Sequence, residues 1–215
     1  MKAVFGLRDK LTDMKNRGNL FIAATKVINE KFLSPWRWKL LVKRLTANIG
    51  DSKTILDIGA GDGGLASEIL KICKVKITGI DPHPQEVSFI PVTKFDGVTI
   101  PFANKSFDMS MINDVLHHDH HPEQILSEAK RVSKKYILIK DHYWTNKVDF
   151  ALLKWTDGFG NLSYGVNLPY NFLTIESWKK MFKTLDLKIV KMEKFRYSLL
   201  DPSLHVIFLL AKNDN

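Results

Sequence analysis

Residues 54–64 constrain this chain more than any other stretch. They read Thr-Ile-Leu-Asp-Ile-Gly-Ala-Gly-Asp-Gly-Gly. A β-branched, apolar run feeds straight into a glycine-rich turn, and the helix-forming stretch 65–71 follows at once. The order is strand, tight loop, helix N-terminus. Glycines let a ligand approach the backbone, and a helix start offers unpaired N–H groups. Gly59, Gly61 and Gly64 fit the spacing G-x-G-x-x-G, which several nucleotide and nucleoside binders share.

From residue 53 onward the pattern alternates strand and helix. Strands are expected over residues 54–58, 75–80, 92–95, 107–112 and 136–140. Helices are expected over 65–71 and 122–132, the latter burying Ile125, Leu126, Ala129 and Val132. Such alternation implies a parallel, doubly wound sheet with its ligand beyond the C-terminal strand ends. After Asp141 the alternation stops. A helix is expected over 148–155, then a long glycine- and aromatic-rich loop over 157–171, of the kind that forms lids and binding loops. Thr174 suits an N-cap, with Glu176 favourable in the first turn. Residues 187–197 and 204–211 read as two closely joined strands, hence an antiparallel hairpin. Ahead of the core, Leu20, Phe21, Ala24, Val27, Ile28 and Phe32 recur at helical spacing. A second helix should run from Trp36 to about residue 47, with Ser34 and Pro35 at its start.

The run Leu-Asp-Ile-Gly-Ala-Gly-Asp-Gly resembles the first motif of class I S-adenosylmethionine-dependent methyltransferases of the small methyltransferase-domain, type 11-like kind. Three further matches follow in order: VKITGID ending at Asp81; Phe95-Asp96-Gly97 with Ile100-Pro101-Phe102 and Ser106-Phe107-Asp108; and MSMINDVLHH, from Met109 to His118. The resemblance covers roughly residues 54–142. It implies an α/β, Rossmann-like, mostly parallel seven-stranded sheet, doubly wound, with helices on both faces and a C-terminal antiparallel hairpin. Residues 1–50 would form an N-terminal helical cap segment. Residues 51–215 would form the core, with 143–173 inserted as a substrate-binding lid. Its aromatics Phe159, Tyr164, Tyr170 and Phe172 suit a flat or apolar acceptor.

The implied cofactor is S-adenosyl-L-methionine. Its amino acid tail and ribose would run along Gly59, Ala60 and Gly61, where a Cβ would collide. Asp57 is placed to meet the charged α-amino group, or alternatively to hold the loop. Asp81, followed by Pro82, ends the second strand, where a carboxylate can accept from both ribose hydroxyls; nicotinamide dinucleotides use the same geometry. Asp96 matches the position that accepts from the adenine amino group, with Gly97 leaving room for the ring. An Asp-Gly turn is the alternative. Asn113 lies near the methionine moiety.

Methyl transfer from a sulfonium is an in-line displacement, so the protein mainly aligns the reactants and excludes water. A base is needed only if the acceptor must lose a proton. The candidates stand at the strand ends: His117 and His118 after the fourth strand, Asp141 and His142 after the fifth. The histidines alternatively only shape the pocket. The run His117-His118-Asp119-His120-His121 does not predict a metal site, because adjacent residues cannot easily face one ion and no second ligand set is visible in the sequence.

The 215 residues, 45% hydrophobic and 26% charged, suit one well-packed domain. No apolar run is long enough to span a membrane, and the N-terminus lacks a signal-peptide core. The single Cys73 excludes an internal disulfide and fits a cytoplasmic location. The net charge of +9 admits an anionic partner, but the basic residues are spread out and no nucleic-acid signature appears. Asn113-Asp114-Val115-Leu116 departs from the motif used to methylate exocyclic base amines. The expected acceptor is therefore a small or lipid-like molecule, nucleic acid being disfavoured. The basic N-terminal segment with Trp36 and Trp38 is a candidate for peripheral membrane contact. Oligomeric state is not legible. The competing readings are a nicotinamide-dependent oxidoreductase, a nucleic-acid methyltransferase and a non-catalytic cofactor-binding scaffold.

Overall fold

The computed structural model describes residues 34–161, 168–199 and 201–213. The expected helix around Leu20–Phe32, the side chain of Phe159, and Tyr164 lie outside the described residues. The elements run α1 (Ser34–Thr46), β1 (Thr54–Ile58), α2 (Gly64–Leu70), β2 (Lys76–Asp81), β3 (Val92–Lys94), β4 (Phe107–Asn113), a 3-10 turn (Leu116–His118), α3 (Pro122–Val132), β5 (Ser133–His142), α4 (Lys147–Asn161), α5 (Ile175–Thr184), β6 (Leu187–Phe195) and β7 (His205–Lys212).

The seven strands form one sheet in the order β3-β2-β1-β4-β5-β7-β6. Strands β1 to β5 are parallel, and β7 runs antiparallel between β5 and β6. This is the expected doubly wound Rossmann-like sheet with its C-terminal hairpin. The chain reverses its direction of travel between β1 and β4, so a crevice opens beyond their C-terminal ends, the usual ligand position in such sheets.

Alternating side chains of the parallel strands are buried on both faces, as a sheet covered on both sides requires. On one face Leu56, Ile58, Ile112, Ile137 and Ile139 meet Ile125, Leu126 and Ala129 of α3 and Trp178 and Phe182 of α5. On the other, Ile55, Met109, Met111 and Leu138 meet Leu41, Val42 and Leu45 of α1 and Ala66 and Ile69 of α2. Helix α1 thus seals the sheet and reaches its ligand end. At the opposite end Asp108 accepts from the backbone N–H groups of Lys53 and Thr54 at 2.9 and 3.0 Å. The Ser106-Phe107-Asp108 motif therefore clamps the starts of β1 and β4, far from any ligand.

One local expectation is corrected, and the glycine loop gains detail. Helix α4 continues through Gly158 to Asn161, where the glycines suggested a loop from 157. Each glycine costs a helix about 1 kcal/mol, but tertiary contacts offset it. Thr156 bonds Ser203 across the fold, and a Cβ at Gly158 would stand 3.3 Å from the Tyr170 hydroxyl. The left-handed residues of the first loop are Gly59, Gly61 and Gly63, not Gly64. Gly64 is needed for a different reason. A Cβ there would lie 2.7 Å from the indole of Trp38 in α1.

Candidate active site

The glycine loop is built from β1 outward. The N–H groups of Gly59 and Ala60 both donate to the Ile80 carbonyl, at 2.8 and 3.1 Å. At Gly59, φ is +75° and a Cβ would come within 2.3 Å of Val115, so this glycine serves packing. At Gly61, φ is +57° and a Cβ would meet nothing within 4 Å. The space beside Gly61 is therefore open toward the crevice. Asp81 caps the same loop, accepting from Gly61 N–H and His83 N–H at 2.8 Å each.

Asp57 is buried near the C-terminal end of β1. Burial, then the neighbouring Asp81 charge, pushes its carboxyl up to about 7, partly offset by the Asn113 amide. The polar atoms of the half-buried Asn113 side chain are shielded from solvent, and its amide faces Asp57 without a hydrogen bond of full geometry. A buried carboxyl destabilised in its charged form, beside a shielded amide, has the chemistry to receive an ammonium group. Asp96 is exposed and accepts from Val98 N–H and Thr99 N–H at 2.8 and 2.7 Å. The structure thus contains the turn, with Gly97 (φ +83°) facing Pro82 across 3.5 Å from an added Cβ.

The charge on Asp57 has a stability consequence. Its pKa is raised in the fold from 3.8 to about 7, so the unfolded chain ionises first. Stability is undiminished below about pH 4 and falls as pH rises to 7, by roughly 1.4 kcal/mol per unit of difference between the two pKa values. Asp57→Asn is expected to melt higher than wild type at pH 8, with the advantage shrinking toward pH 4. Thermal melts at the two pH values check this.

The strand-end candidates converge. Among the described residues His117 stands where two groups meet, with Asp114, Asp141 and His142 on one side and His118 and Asp157 of α4 on the other. His117 Nδ1 lies 2.6 Å from Asp141 Oδ1, with both side chains 1% exposed or less. On the far side of the same ring, Nε2 stands 3.6 Å from Asp157 Oδ1, and His118 Nε2 stands 3.9 Å from that oxygen. Phe172 stacks on the His117 ring at 5.1 Å, so it forms a wall of the site. The segment carrying Phe172 is pinned here. Asn171 N–H donates to the His117 carbonyl, and Trp144 Nε1–H donates to the Phe172 carbonyl. His142 stands 3.3 Å from Asp114, which Lys140 bridges with both carboxylate oxygens at 2.6 Å.

Burial alone would lower the His117 pKa, but the charge and hydrogen bond of Asp141, and then Asp157, outweigh it and raise it to about 10. Burial and then the His117 charge lower His118; burial and then the Lys140 charge lower His142. The site is thus one electrostatic unit of buried acids and rings. His120 and His121 are exposed and take no part.

Asp157, Asp114, Lys140 and Tyr197 are the residues that the sequence did not single out. Arg37, Trp38 and Leu41 of α1, with Asp114 and Tyr197, line a cavity of about 190 Å³ next to the cluster. A larger cleft of about 510 Å³, lined by Tyr143, Lys194, Arg196 and Leu199 among others, holds none of the expected site residues. The smaller space holds none of them either, but its Asp114 stands 3.3 Å from His142 and so joins it to the cluster.

The sheet order, glycine loop and acidic strand ends define a class I S-adenosylmethionine-dependent methyltransferase fold. Residues 34–192 match the family described as methyltransferase domain, and the chain belongs to it. A methyltransferase of Mycobacterium avium, itself uncharacterised, is 31% identical over 91 residues, spanning 38% of this chain and 36% of its own length. The chain therefore spans about a third of the length of the curated relatives it matches. The Burkholderia thailandensis 1,6-didemethyltoxoflavin-N1-methyltransferase, solved with that compound and S-adenosylhomocysteine, superposes with a TM-score of 0.63. It is 14% identical, over 93% of this chain and 90% of that one. An S-adenosylmethionine-dependent methyltransferase of Thermotoga maritima gives 0.60 at 16% identity, over 88% and 98% of the two chains. S-adenosylmethionine is the cofactor of this family and fold, which sets aside the nicotinamide reading of Asp81.

Proposed function

We propose that this protein transfers a methyl group from S-adenosylmethionine to a small or lipid-like acceptor held against the His117–His118–Asp157 cluster. The convergence of four strand-end side chains, with Asp157 against His117 and His118, carries this reading. The cofactor supplies a methyl already activated on a sulfonium, so the chain's own work is placement. Gly59, Ala60 and Gly61 give the tail and ribose a path along the backbone. Asp57 and Asn113 hold the ammonium end, Asp81 the ribose hydroxyls, and Pro82, Asp96 and Gly97 flank the adenine. The acceptor's nucleophile then displaces the sulfur in line, and any proton it releases passes to the histidine–aspartate cluster. Small-molecule acceptance has the support of the Burkholderia relative, which was solved with such a compound.

Of the proposed cap, residues 1–50, the described helix α1 already lays Trp38 against Gly64. Within the proposed lid, residues 143–173, Phe172 and Asp157 form the acceptor-side wall. No described helix is long and apolar enough to cross a membrane. Trp36 and Trp38 are partly exposed on a helix that also carries Arg37, Lys39 and Lys43, a surface suited to peripheral membrane contact from the cytoplasm.

Two experiments test the proposal. With methyl-labelled cofactor, label should enter members of a panel of small hydroxyl and amine compounds; label entering only RNA or DNA would contradict it. Affinity for S-adenosylhomocysteine should rise with pH between 6 and 7, by at most about tenfold per unit, as Asp57 ionises to meet the ammonium. That dependence should vanish in Asp57→Asn. A flat wild-type profile would remove Asp57 from the ammonium site.

A further inference from the structure

We infer that His117, His118 and Asp157 form a binding site for a divalent first-row transition ion, with Asp141 as its outer-sphere carboxylate. The sequence offers no second ligand set beside the histidines, but the fold supplies one. Helix α4 brings Asp157 to the 3-10 turn, and its Oδ1 faces His117 Nε2 at 3.6 Å and His118 Nε2 at 3.9 Å. All three ligand atoms lie within 4.8 Å of one another. Two ligands each about 2.1 Å from one ion at a tetrahedral angle stand roughly 3.4 Å apart, so the three need to close only slightly.

Two observations point to a cation here. His117 is 1% exposed, and its Nε2 has no hydrogen-bond partner. Asp141 receives the opposite nitrogen at 2.6 Å. With the proton on Nδ1 alone, the Nε2 lone pair faces a carboxylate, so positive charge, either a second proton or a metal ion, belongs between them. A proton on Nε2 would draw Asp157 to about 2.7–3.0 Å. It would also serve one ring and leave His118 aimed at the same oxygen without a role. A divalent ion satisfies both rings and the carboxylate together. The Asp141–His117 pair then has the form that fixes metal-bound histidines: a buried carboxylate holding the far ring nitrogen, setting tautomer and orientation. Two imidazoles and one carboxylate suit zinc and iron(II) alike. His118 is 20% exposed, so one side of the site faces the crevice and leaves room for an exogenous oxygen. Coordination there would lower the pKa of an acceptor hydroxyl; that use, but not the site itself, rests on the function proposed above.

The test uses full-length, tag-free protein stripped with chelator, then titrated with Co²⁺ under visible absorption and with Zn²⁺ or anaerobic Fe²⁺ in competition. One equivalent of Co²⁺ should bind at micromolar concentration or tighter with intense ligand-field bands, displaced by Zn²⁺ or by Fe²⁺. Which ion displaces it better assigns the resident metal. Asp157→Asn and His118→Ala should each weaken Co²⁺ at least tenfold, and Asp141→Asn by about 10–100-fold. The exposed pair His120→Ala/His121→Ala should bind like wild type. Circular dichroism of each variant, and S-adenosylhomocysteine binding in parallel, report folding. Absence of stoichiometric binding, or Asp157→Asn and His118→Ala binding as wild type, or loss confined to the His120/His121 variant, would overturn the site. Continued S-adenosylhomocysteine binding in those cases would leave the methyltransferase reading standing.

Discussion

Asp81→Ala is expected to lose at least about 100-fold in affinity for S-adenosylhomocysteine while remaining folded. The carboxylate stands at the end of β2, on the crevice side of the sheet, and holds two backbone N–H groups, Gly61 and His83, at 2.8 Å. A carboxylate oxygen has more than one acceptor position, so both ribose hydroxyls can still be received. Hydrogen bonds to a charged group contribute about 1.5–3 kcal/mol each, so two lost together correspond to roughly 100-fold or more. The alanine also releases Gly61, loosening the loop along which the cofactor lies. Asp81→Asn keeps one carbonyl acceptor and should fall between the two. Titration calorimetry on the three proteins gives the order; an alanine variant that binds like wild type would show that the ribose sits elsewhere.

The second large effect separates two glycines of one loop. Gly59→Ala should destabilise the fold by several kcal/mol. Its new Cβ would meet Val115 at 2.3 Å and its φ of +75° is left-handed. The strained backbone costs about 1–2 kcal/mol and the overpacking about 1–3 more. The two bonds of Gly59 and Ala60 to Ile80 leave the loop little room to retreat. Gly61→Ala meets only the backbone cost, since no atom lies within 4 Å of its Cβ. It should therefore melt within about 2 kcal/mol of wild type yet bind the cofactor poorly, because the methyl fills the ligand's path. Denaturation midpoints set against binding constants distinguish the two. Equal destabilisation, or unimpaired binding in Gly61→Ala, would contradict this division of labour.

The sequence carried the sheet because its information was local. Thr54–Ile58 and Pro122–Val132 have the bounds expected from their apolar periodicity. The hairpin follows from two strands joined too closely for a crossover. Strand-end position was enough to single out His117, His118, Asp141 and His142, since a parallel sheet delivers those ends to one edge. What stayed hidden depends on chain segments meeting at a distance. Asp157 lies in Asp-Gly-Phe-Gly, where glycine content suggested a loop. Its significance comes only when α4 continues through those glycines and meets His117 forty positions back in the chain. The one available signal was its one-turn spacing from Leu153, which is buried on α4. Gly64 illustrates the same limit: it fits the G-x-G-x-x-G spacing, yet the indole of Trp38, in a helix outside the motif, is what requires it. Lys140 reads as one more strand lysine, and only the fold shows it buried against Asp114.

Calorimetric titration of the wild-type chain with S-adenosylhomocysteine, with NAD in parallel, tests the central claim most directly. Both ligands would use the glycine loop and Asp81, but only the first carries the ammonium proposed to meet Asp57 and Asn113. The account predicts one site of micromolar affinity for S-adenosylhomocysteine and no heat with NAD. Binding of NAD alone, or of neither ligand by a folded protein, would contradict it.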